Sequence, residues 1–330
     1  MKSNSLRLTV QVSQKVEILF FPLSIWYQPV LLKLEVLSKS KHFILERKIF
    51  NFGIELTHLV DFVLTVSSGN RIGIKEALKQ RPLFIAGPCS IESESQIKNT
   101  ASELAPYGVN ILRGGAFKPR TSPDSFQGLG EEGLKFMRQA ADENNMHIVT
   151  EVLETEHLKK YYAMIDMIQI GSRNMSSFGF LKEVGKISSI DQKPVLLKRG
   201  FSATLNELLS AAQYIINEGN SNVYLCLRGI RTFEQIDSAF RFTPDLGSII
   251  ELKEKTDLPV LFDPSHASGN AKYVKQLSKA AISLGADGLL IESHYQPENA
   301  MSDKDQCIHP SLVSEIISEI NSSYEYIQNQ

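Results

Sequence analysis

Several side chains that can bind a divalent metal lie where short apolar runs of the sequence end. They are a cysteine, a histidine and acidic residues, namely Cys89, His266, Glu292 and either Asp303 or Asp305. A thiolate, an imidazole and carboxylates together suit Mn, Fe, Co or Zn better than Mg or Ca. These residue types predict a transition-metal site, on the condition that the fold brings distant parts of the chain together. The residues by themselves leave the choice between the two aspartates open.

A second set of residues at the ends of such runs is cationic. Its members are Arg113, Lys118, Arg120, Arg173, Lys198 and Arg228. Lysine and arginine are rarely buried without a partner, so this many cations in one cavity would need an anionic ligand to neutralise them. Guanidinium groups bind pairs of phosphate or carboxylate oxygens, and an ammonium group supplies a point charge. The set therefore predicts a small substrate with several negative charges.

The runs that carry these residues have the character of strands that are buried on both faces. Eight of them follow one another after Pro82: Leu83–Pro88, Asn110–Phe117, His147–Leu153, Met167–Ser172, Pro194–Gly200, Asn222–Gly229, Pro259–His266 and Gly288–Ser293. Amphipathic stretches such as Leu205–Asn217 and Ala271–Leu284 separate them and predict helices.

Eight strand–helix repeats within residues 83–330 match the roughly 250 residues of a (β/α)₈ TIM barrel. A doubly wound open sheet is the alternative, but neither of the glycine-rich nucleotide-binding signatures of such sheets is present. In a barrel the catalytic groups lie at the carboxyl ends of the strands, and every predicted strand has a polar or reactive residue there, including Glu151 after the third. Because the first and last strands of a closed sheet are neighbours, Cys89 would lie near His266 and Glu292.

The composition excludes several classes of function. The 330 residues carry a formal net charge of −2, and 42% of them are hydrophobic. A near-neutral protein lacks the basic field that draws proteins to nucleic acid or to an anionic membrane. The three cysteines are an odd and sparse set, which predicts a reducing, cytoplasmic location without a disulfide framework. Two of them, Cys226 and Cys307, are interpreted as structural.

The first 80 residues differ from the rest and carry no motif. We interpret residues 1–80 as an N-terminal extension with a regulatory or oligomerisation role, and residues 81–330 as the catalytic barrel. The change in composition falls near residues 67–70. Ile18–Leu32 is uncharged, but it is shorter than the roughly 20 residues of a membrane-spanning helix and contains two prolines. We expect a buried strand or helix pair there and no membrane anchor.

Longer motifs make the sequence similar to a known enzyme family. They are FIAGPCSIES (84–93), LRGGAFKPRTSPDSFQGLGEEGL (112–134), IGSRNM (170–175), LLKRGFSAT (196–204), LRGIRTFE (227–234), FDPSHASG (262–269) and IESHYQPENAMSD (291–303). In this order they closely resemble the type I beta branch of the 3-deoxy-D-arabino-heptulosonate 7-phosphate (DAHP) synthases. The resemblance extends from about residue 80 to the end of the chain.

The resemblance implies a metal-dependent, aldol-type condensation of phosphoenolpyruvate with D-erythrose 4-phosphate and water. The products would be DAHP and phosphate, at the first step of the shikimate pathway. The resemblance assigns the metal to Cys89, His266, Glu292 and Asp303, and so selects Asp303 over Asp305. It also implies a homo-oligomer, either a dimer or a tetramer.

The same resemblance assigns the substrates. Phosphoenolpyruvate would be bound by Arg113, Lys118, Arg173, Lys198 and Arg228, and the aldose phosphate by Arg120 and Thr121. Lys118 would also transfer a proton, which places it with Cys89 and His266 among the catalytic residues. Three features depart from the family pattern: Asp124 replaces an aromatic residue near the predicted phosphate pocket, Leu227 replaces an acid, and residues 1–80 resemble no regulatory domain of the branch.

Two alternatives come from different classes of protein. A synthase that uses arabinose 5-phosphate to make 3-deoxy-D-manno-octulosonate 8-phosphate shares the barrel, but it has a K-A-N-R-S type of segment where this chain has KPRTSP. A ligand-binding paralogue without turnover would be expected to lack a metal ligand or a lysine of the cationic set. This chain retains all the predicted metal ligands and both lysines. We also consider residues 1–80 as an interaction module through which the chain assembles or is inhibited. If a shortened chain that begins near Ile74 kept the same oligomer size and the same inhibition, that role would be removed.

Overall fold

The computed structural model describes residues 71–118, 126–234 and 242–328, together with three short strands near the amino terminus. The chain divides into two compact units, Met1–Asn70 and Arg71–Gln330. In the first unit, strands β1 (Arg7–Leu8), β2 (Lys33–Val36) and β3 (Phe43–Glu46) form an antiparallel sheet in the order β1-β3-β2. The Ile18–Leu32 segment lies outside the described residues, as do Arg120, Thr121 and Asp124.

The second unit contains a closed barrel of eight parallel strands. They are β4 (Leu83–Gly87), β5 (Ile111–Arg113), β6 (His147–Glu151), β7 (Met167–Ile170), β8 (Val195–Lys198), β9 (Val223–Leu227), β10 (Val260–Phe262) and β11 (Gly288–Glu292). Each strand pairs with its neighbours in the sequence, and β11 closes the barrel against β4. The predicted (β/α)₈ barrel is confirmed, with a strand inside each of the eight predicted runs, and the open-sheet alternative is wrong.

Helices connect the strands and cover the barrel. They are α1 (Ile74–Ala77), α2 (Glu94–Leu104), α3 (Gly130–Glu143), α4 (Thr155–Tyr161), α5 (Phe178–Ser189), α6 (Leu205–Asn217), α7 (Gly247–Lys255), α8 (Pro264–Ser268), α9 (Ala271–Ser283) and α10 (Pro310–Gln328). The two helices predicted individually, α6 and α9, are confirmed. A capping box between Thr204 and Glu207 fixes the start of α6.

Two predicted runs exceed their strands by four residues at the carboxyl end: Asn110–Phe117, whose strand ends at Arg113, and Pro259–His266, whose strand ends at Phe262. The run to His266 continues beyond β10, but the chain turns into α8 at Pro264, and His266 lies on that helix. Asp263 caps the helix by accepting a hydrogen bond from the backbone N–H of His266, 2.9 Å away. Proline suits the first position of a helix because it has no N–H group to leave unpaired. The Asp-Pro pair therefore ends the strand and directs His266 across the barrel mouth.

Side chains of the strands alternate between two buried layers. The interior layer contains residues such as Ile85, Ile111, Leu196 and Leu290, and the strand positions between them face the helices. Leu227 belongs to the helix-facing layer and is buried. An apolar residue at this position is therefore part of the core and does not face the barrel mouth, although the resemblance found in the sequence implies an acid there.

Ion pairs around Asp166 tie the start of β7 to residues just before the barrel. Asp166 Oδ2 lies 2.6 Å from Arg71 Nη2 and 2.6 Å from Arg138 Nη1, and it accepts a hydrogen bond from the backbone N–H of Ile148 at 2.8 Å. Burial alone would raise the pKa of Asp166. The hydrogen bonds from His147 and Arg138 instead hold it well below its usual value.

Replacing Asp166 with asparagine is expected to lower the free energy of unfolding by about 1.5–3 kcal/mol at neutral pH, because charged hydrogen bonds are lost. An unfolded aspartate has a pKa of about 3.9, and the folded value is lower. The carboxylate therefore stabilises the fold above that pH and loses its contribution as the pH falls below it. Urea unfolding at neutral and acidic pH should show a difference between wild type and variant that disappears in acid.

The matched control is Asp257→Asn, at an exposed position, which should change the stability little at either pH. A deficit of the same size for Asp166→Asn in acid and at neutral pH would contradict the electrostatic explanation.

Over the part of the chain that the structure describes, none of the helices combines the length and the apolar character needed to cross a membrane.

Candidate active site

Polar residues at the carboxyl ends of the strands face the barrel mouth because of the alternation along each strand. Arg113, Lys198 and Glu292 end β5, β8 and β11, and each comes two positions after an interior residue. Arg228 and Asp263 follow β9 and β10 with the same alternation. All five side chains are buried. The fold therefore collects cations and acids at the carboxyl end of the barrel, where enzymes with a (β/α)₈ barrel have their active sites.

Three of the four predicted metal ligands form a compact group. One ligand atom each from Cys89, Glu292 and Asp303 lie within 4.8 Å of one another, and Cys89 Sγ is 3.1 Å from Asp303 Oδ2. His266 Nε2 lies 3.5 Å from Glu292 Oε1 and 4.0 Å from Asp303 Oδ2. Asp305 is exposed and is not a member of the group.

The chemistry of these four donors fits a divalent transition metal, since it combines sulfur, nitrogen and carboxylate oxygen. Glu292 Oε1 is buried and accepts no hydrogen bond of ordinary geometry from the described residues. A buried acidic oxygen favours a cation beside it, and Arg113 Nη1 lies 3.0 Å away.

Burial controls the protonation of the two softer donors. Burial and the nearby Glu292 carboxylate raise the pKa of the Cys89 thiol to about 12, although Lys118 opposes the shift. Burial also lowers the pKa of His266, in spite of the carboxylates of Asp263 and Glu292. The imidazole is therefore neutral at neutral pH and able to bind a cation, whereas a metal would have to displace the thiol proton in order to bind the sulfur.

Lys118 lies against the same group. Its Nζ donates hydrogen bonds to the backbone oxygen and to Sγ of Cys89, both at 3.0 Å. Gly115 permits this approach, because a Cβ there would lie 2.9 Å from Lys118 Cδ. Burial alone would lower the pKa of Lys118, but the Cys89 sulfur and the Glu151 and Glu292 carboxylates raise it. Lys118 is therefore an ammonium group that is held next to the candidate metal ligands.

Asp263 links the cationic set to the metal-binding set. Its Oδ2 lies 2.5 Å from Lys198 Nζ and 2.8 Å from His266 Nδ1, and its side chain is fully buried. A carboxylate behind a metal-binding histidine fixes the orientation and tautomer of the ring. The sequence analysis did not single out Asp263. Its signal was the Asp-Pro pair at the start of a helix, three residues before His266.

Arg113 and Gln306 hold the Glu292 carboxylate from two sides. Arg113 Nη1 lies 3.0 Å from Glu292 Oε1, and Gln306 Nε2 donates a hydrogen bond to Oε2 at 2.5 Å. Burial opposes a charge on Arg113, but the Glu292 and Cys89 groups more than offset it and raise its pKa. Arg113 is thus permanently charged and in contact with a candidate metal ligand. No motif in the sequence indicated the role of Gln306.

Arg173 and Arg228, the other predicted cations among the described residues, lie near aromatic rings. The guanidinium of Arg228 lies 3.7 Å from the ring centre of Phe242 and 5.1 Å from that of Phe201. Arg173 follows β7 on a short 3₁₀ helix and lies 5.7 Å from the Phe201 ring. Cation–π contacts of this kind hold guanidinium groups in place without neutralising their charge. The aromatic rings therefore help to hold both guanidinium groups in place.

A (β/α)₈ barrel with a thiol, an imidazole, carboxylates and buried cations at one mouth defines a class of protein. It is an enzyme that acts on small anionic molecules and has the donors for a metal. The model of the DAHP synthetase I family matches residues 61–328, and the chain belongs to that family.

Individual relatives agree with this assignment. A phospho-2-dehydro-3-deoxyheptonate aldolase from Thermotoga maritima is 48% identical over 237 residues, which are 72% of this chain and 68% of the relative. A 2-dehydro-3-deoxyphosphooctonate aldolase from Francisella tularensis is 28% identical over 270 residues, 76% of this chain and 94% of the relative.

Solved structures give the same result. The structure of DAHP synthase from Thermotoga maritima is 37% identical, covers 90% of both chains and has a TM-score of 0.72. A truncated form of 3-deoxy-D-arabino-heptulosonate 7-phosphate synthase from the same organism is 43% identical, with a TM-score of 0.67, and covers 74% of this chain and 87% of that one.

Family membership makes the chain an enzyme, a DAHP synthase of the shikimate pathway. The resemblance recognised in the sequence is confirmed. The octulosonate alternative has the weaker support, at 28% against 48% identity. Because the chain is an enzyme, the alternative of a ligand-binding paralogue without turnover is set aside.

Proposed function

We propose that the enzyme condenses phosphoenolpyruvate with D-erythrose 4-phosphate and water, releases inorganic phosphate and requires a divalent metal. One observation carries this proposal. The Cys89, Glu292 and Asp303 donors lie within 4.8 Å of one another, and the ammonium group of Lys118 lies 3.0 Å from the sulfur. The proposed metal donors and a proposed substrate-binding cation are therefore in direct contact, which supports a reaction between two anionic substrates at a metal.

The proposed metal ligands are Cys89, His266, Glu292 and Asp303, and the proposed metal is Mn, Fe, Co or Zn. When bound there, the metal would polarise the aldehyde of the acceptor sugar as a Lewis acid. The lowered pKa of His266, which leaves the ring neutral at neutral pH, supports this set. The buried Glu292 Oε1, which accepts no hydrogen bond of ordinary geometry from the described residues, supports it as well. The raised pKa of Cys89 predicts that metal binding releases a proton.

The cationic residues are proposed to hold the substrates. Phosphoenolpyruvate is assigned to Arg113, Lys118, Arg173, Lys198 and Arg228. Two anionic substrates repel each other, and a ring of cations offsets this repulsion while it fixes their relative orientation. The phosphate of erythrose 4-phosphate is assigned to Arg120 and Thr121, which lie outside the described residues.

Lys118 is the proposed proton-transfer residue. Its raised pKa keeps Nζ protonated beside the candidate metal ligands at neutral pH, so a proton is present for transfer to an oxygen that becomes negatively charged during the reaction. Cys89 and His266 would contribute to catalysis as metal ligands.

Mixing the enzyme with phosphoenolpyruvate and either aldose phosphate tests the reaction. We expect phosphoenolpyruvate loss and phosphate release to be at least about tenfold faster with erythrose 4-phosphate than with arabinose 5-phosphate, because the pocket discriminates between the two sugars. A chelator should abolish turnover, and added Mn should restore it. Faster turnover with arabinose 5-phosphate would favour the octulosonate synthase, and full activity after chelation would remove the metal from the mechanism.

We further propose a cytoplasmic homo-oligomer, a dimer or a tetramer, that binds neither nucleic acid nor membranes. All three cysteines are free and buried, in agreement with a reducing compartment. Light scattering of the full chain would measure the oligomer. The assignment of residues 1–80 to a separate extension also stays a proposal, and Leu78 already packs with the barrel interior.

A further inference from the structure

Asp303 is the proposed metal ligand that lies furthest along the chain from a barrel strand. It comes well after the end of β11 at Glu292, in a loop formed by residues 300–306, here the Asp303 loop. Its backbone has φ of 52° and ψ of 35°, a left-handed conformation that residues other than glycine seldom adopt. Such a conformation persists only where the surroundings hold it.

We propose that Glu92 is the positioning residue that holds the Asp303 loop, so that the Asp303 carboxylate meets Cys89 and Glu292 at the distance a shared metal needs. This inference rests on the proposed metal role of Asp303. Glu92 follows Cys89 by three residues, so the segment that carries one proposed ligand also orients another.

Direct contacts join Glu92 to the loop. Glu92 Oε1 accepts a hydrogen bond from the backbone N–H of Met301 at 2.8 Å and another from Ser90 Oγ at 3.1 Å. Ser90 Oγ also lies 2.6 Å from Ser302 Oγ, and both serines are buried. The two residues just before Asp303 are thereby attached to the segment after β4.

Glu92 is itself fixed in place. Its backbone N–H donates to Gln96 Oε1 at 3.3 Å, and Gln96 Nε2 donates to the backbone oxygen of Ser90 at 3.3 Å. Glu92 Oε2 lies 3.5 Å from Nε2 of the buried His294. A carboxylate held by its own backbone and by a buried ring can determine the position of the loop that it contacts.

The far end of the Asp303 loop is anchored to β11. Gln306 Nε2 donates to Glu292 Oε2, and the backbone N–H of Ile308 donates to the backbone oxygen of Glu292 at 3.0 Å. Glu92 therefore provides the near-end anchor and Glu292 the far-end anchor, with Asp303 between them. A ligand on a loop binds a metal more tightly when the loop is already ordered, because no ordering entropy is then lost on binding.

The test measures Mn binding to the full-length enzyme by competition with a chromophoric chelator. Glu92→Ala should weaken Mn binding roughly 10–100-fold, the usual effect of removing a group that orients a metal ligand. Glu92→Gln keeps an acceptor for the Met301 N–H and should bind Mn nearly as the wild type does. Glu94→Ala, at an exposed surface ion pair on the same segment, is the matched control and should bind Mn unchanged.

A double-mutant cycle separates positioning from general damage to the fold. If Glu92 acts through Asp303, then Glu92→Ala should have no further effect on Mn affinity in an Asp303→Ala background. In the Co(II)-loaded protein, Glu92→Ala should also change the absorption bands of the bound metal, because its geometry changes while the Cys89 thiolate is retained.

Each result decides the matter. Wild-type Mn affinity in Glu92→Ala would overturn the positioning role, and so would a full-sized loss that persists without the Asp303 carboxylate. A wild-type enzyme that fails to bind Mn, Fe, Co or Zn would instead overturn the proposed metal function, and the positioning role with it.

Discussion

Replacing Lys118 with methionine is expected to lower kcat by about 10²–10⁴-fold, the usual contribution of a positioned general acid or base. Methionine keeps a side chain of similar length but has no proton to transfer and no charge to place 3.0 Å from Cys89 Sγ. The KM for phosphoenolpyruvate should rise by less than kcat falls, since other cations also bind that substrate. Steady-state kinetics with both substrates would measure the two effects.

Two further variants separate proton transfer from charge. Lys118→Arg keeps a cation but cannot release a proton at neutral pH, so it should retain more substrate affinity than methionine does while its kcat stays low. Lys159→Met, at an exposed lysine of a surface ion pair, should leave both constants unchanged. Retention of most of the turnover in Lys118→Met would end the proton-transfer role.

Asp263→Asn is expected to produce two large effects. Lys198 Nζ lies 2.5 Å from Asp263 Oδ2, and both side chains are buried. Breaking a buried ion pair by removing one partner typically costs about 3–5 kcal/mol of stability. Mn affinity should also fall roughly 10–100-fold, because the carboxylate that orients the His266 ring is lost. Urea unfolding and chelator competition would measure the two effects.

The double variant Asp263→Asn with Lys198→Met distinguishes between these effects. Removing the lysine as well eliminates the unpaired buried charge, so much of the lost stability should return. Mn affinity should remain low, because His266 Nδ1 still lacks the carboxylate 2.8 Å away. Recovery of Mn affinity in the double variant would show that Asp263 acts through Lys198 and not through His266.

Much of the barrel could be predicted because its strands are buried on both faces. A strand of this kind must be apolar almost throughout, and it therefore stands out from the amphipathic helices that alternate with it. The predicted run Pro259–His266 was longer than β10 because it included the four residues after Phe262, which are DPSH and belong to the turn and to α8. The hydrogen bond between the Asp263 side chain and the backbone of His266 ends the strand there.

The residues of the candidate site were easier to predict than the contacts between them. Strand-end residues such as Arg113 and Glu292 were visible in the sequence, because a charged residue after an apolar run is unusual. Their direct contact at 3.0 Å was not visible, since the residues are far apart in the chain and on strands that are not neighbours. Asp263 and Glu92 were missed for a related reason: each acts on a side chain whose position the fold had first to establish.

The order of apolar runs and the residue types that end them were enough to predict the barrel, and they led to the proposed class of substrate and the proposed metal donors. Those properties are local, because burial selects apolar residues and chemistry selects particular side chains at each position. Tertiary structure alone decided how Asp263 connects Lys198 with His266 and why Leu227 belongs to the core. These depend on distances across the barrel mouth, which are set by strand closure and by the two-residue alternation that turns each side chain inward or outward.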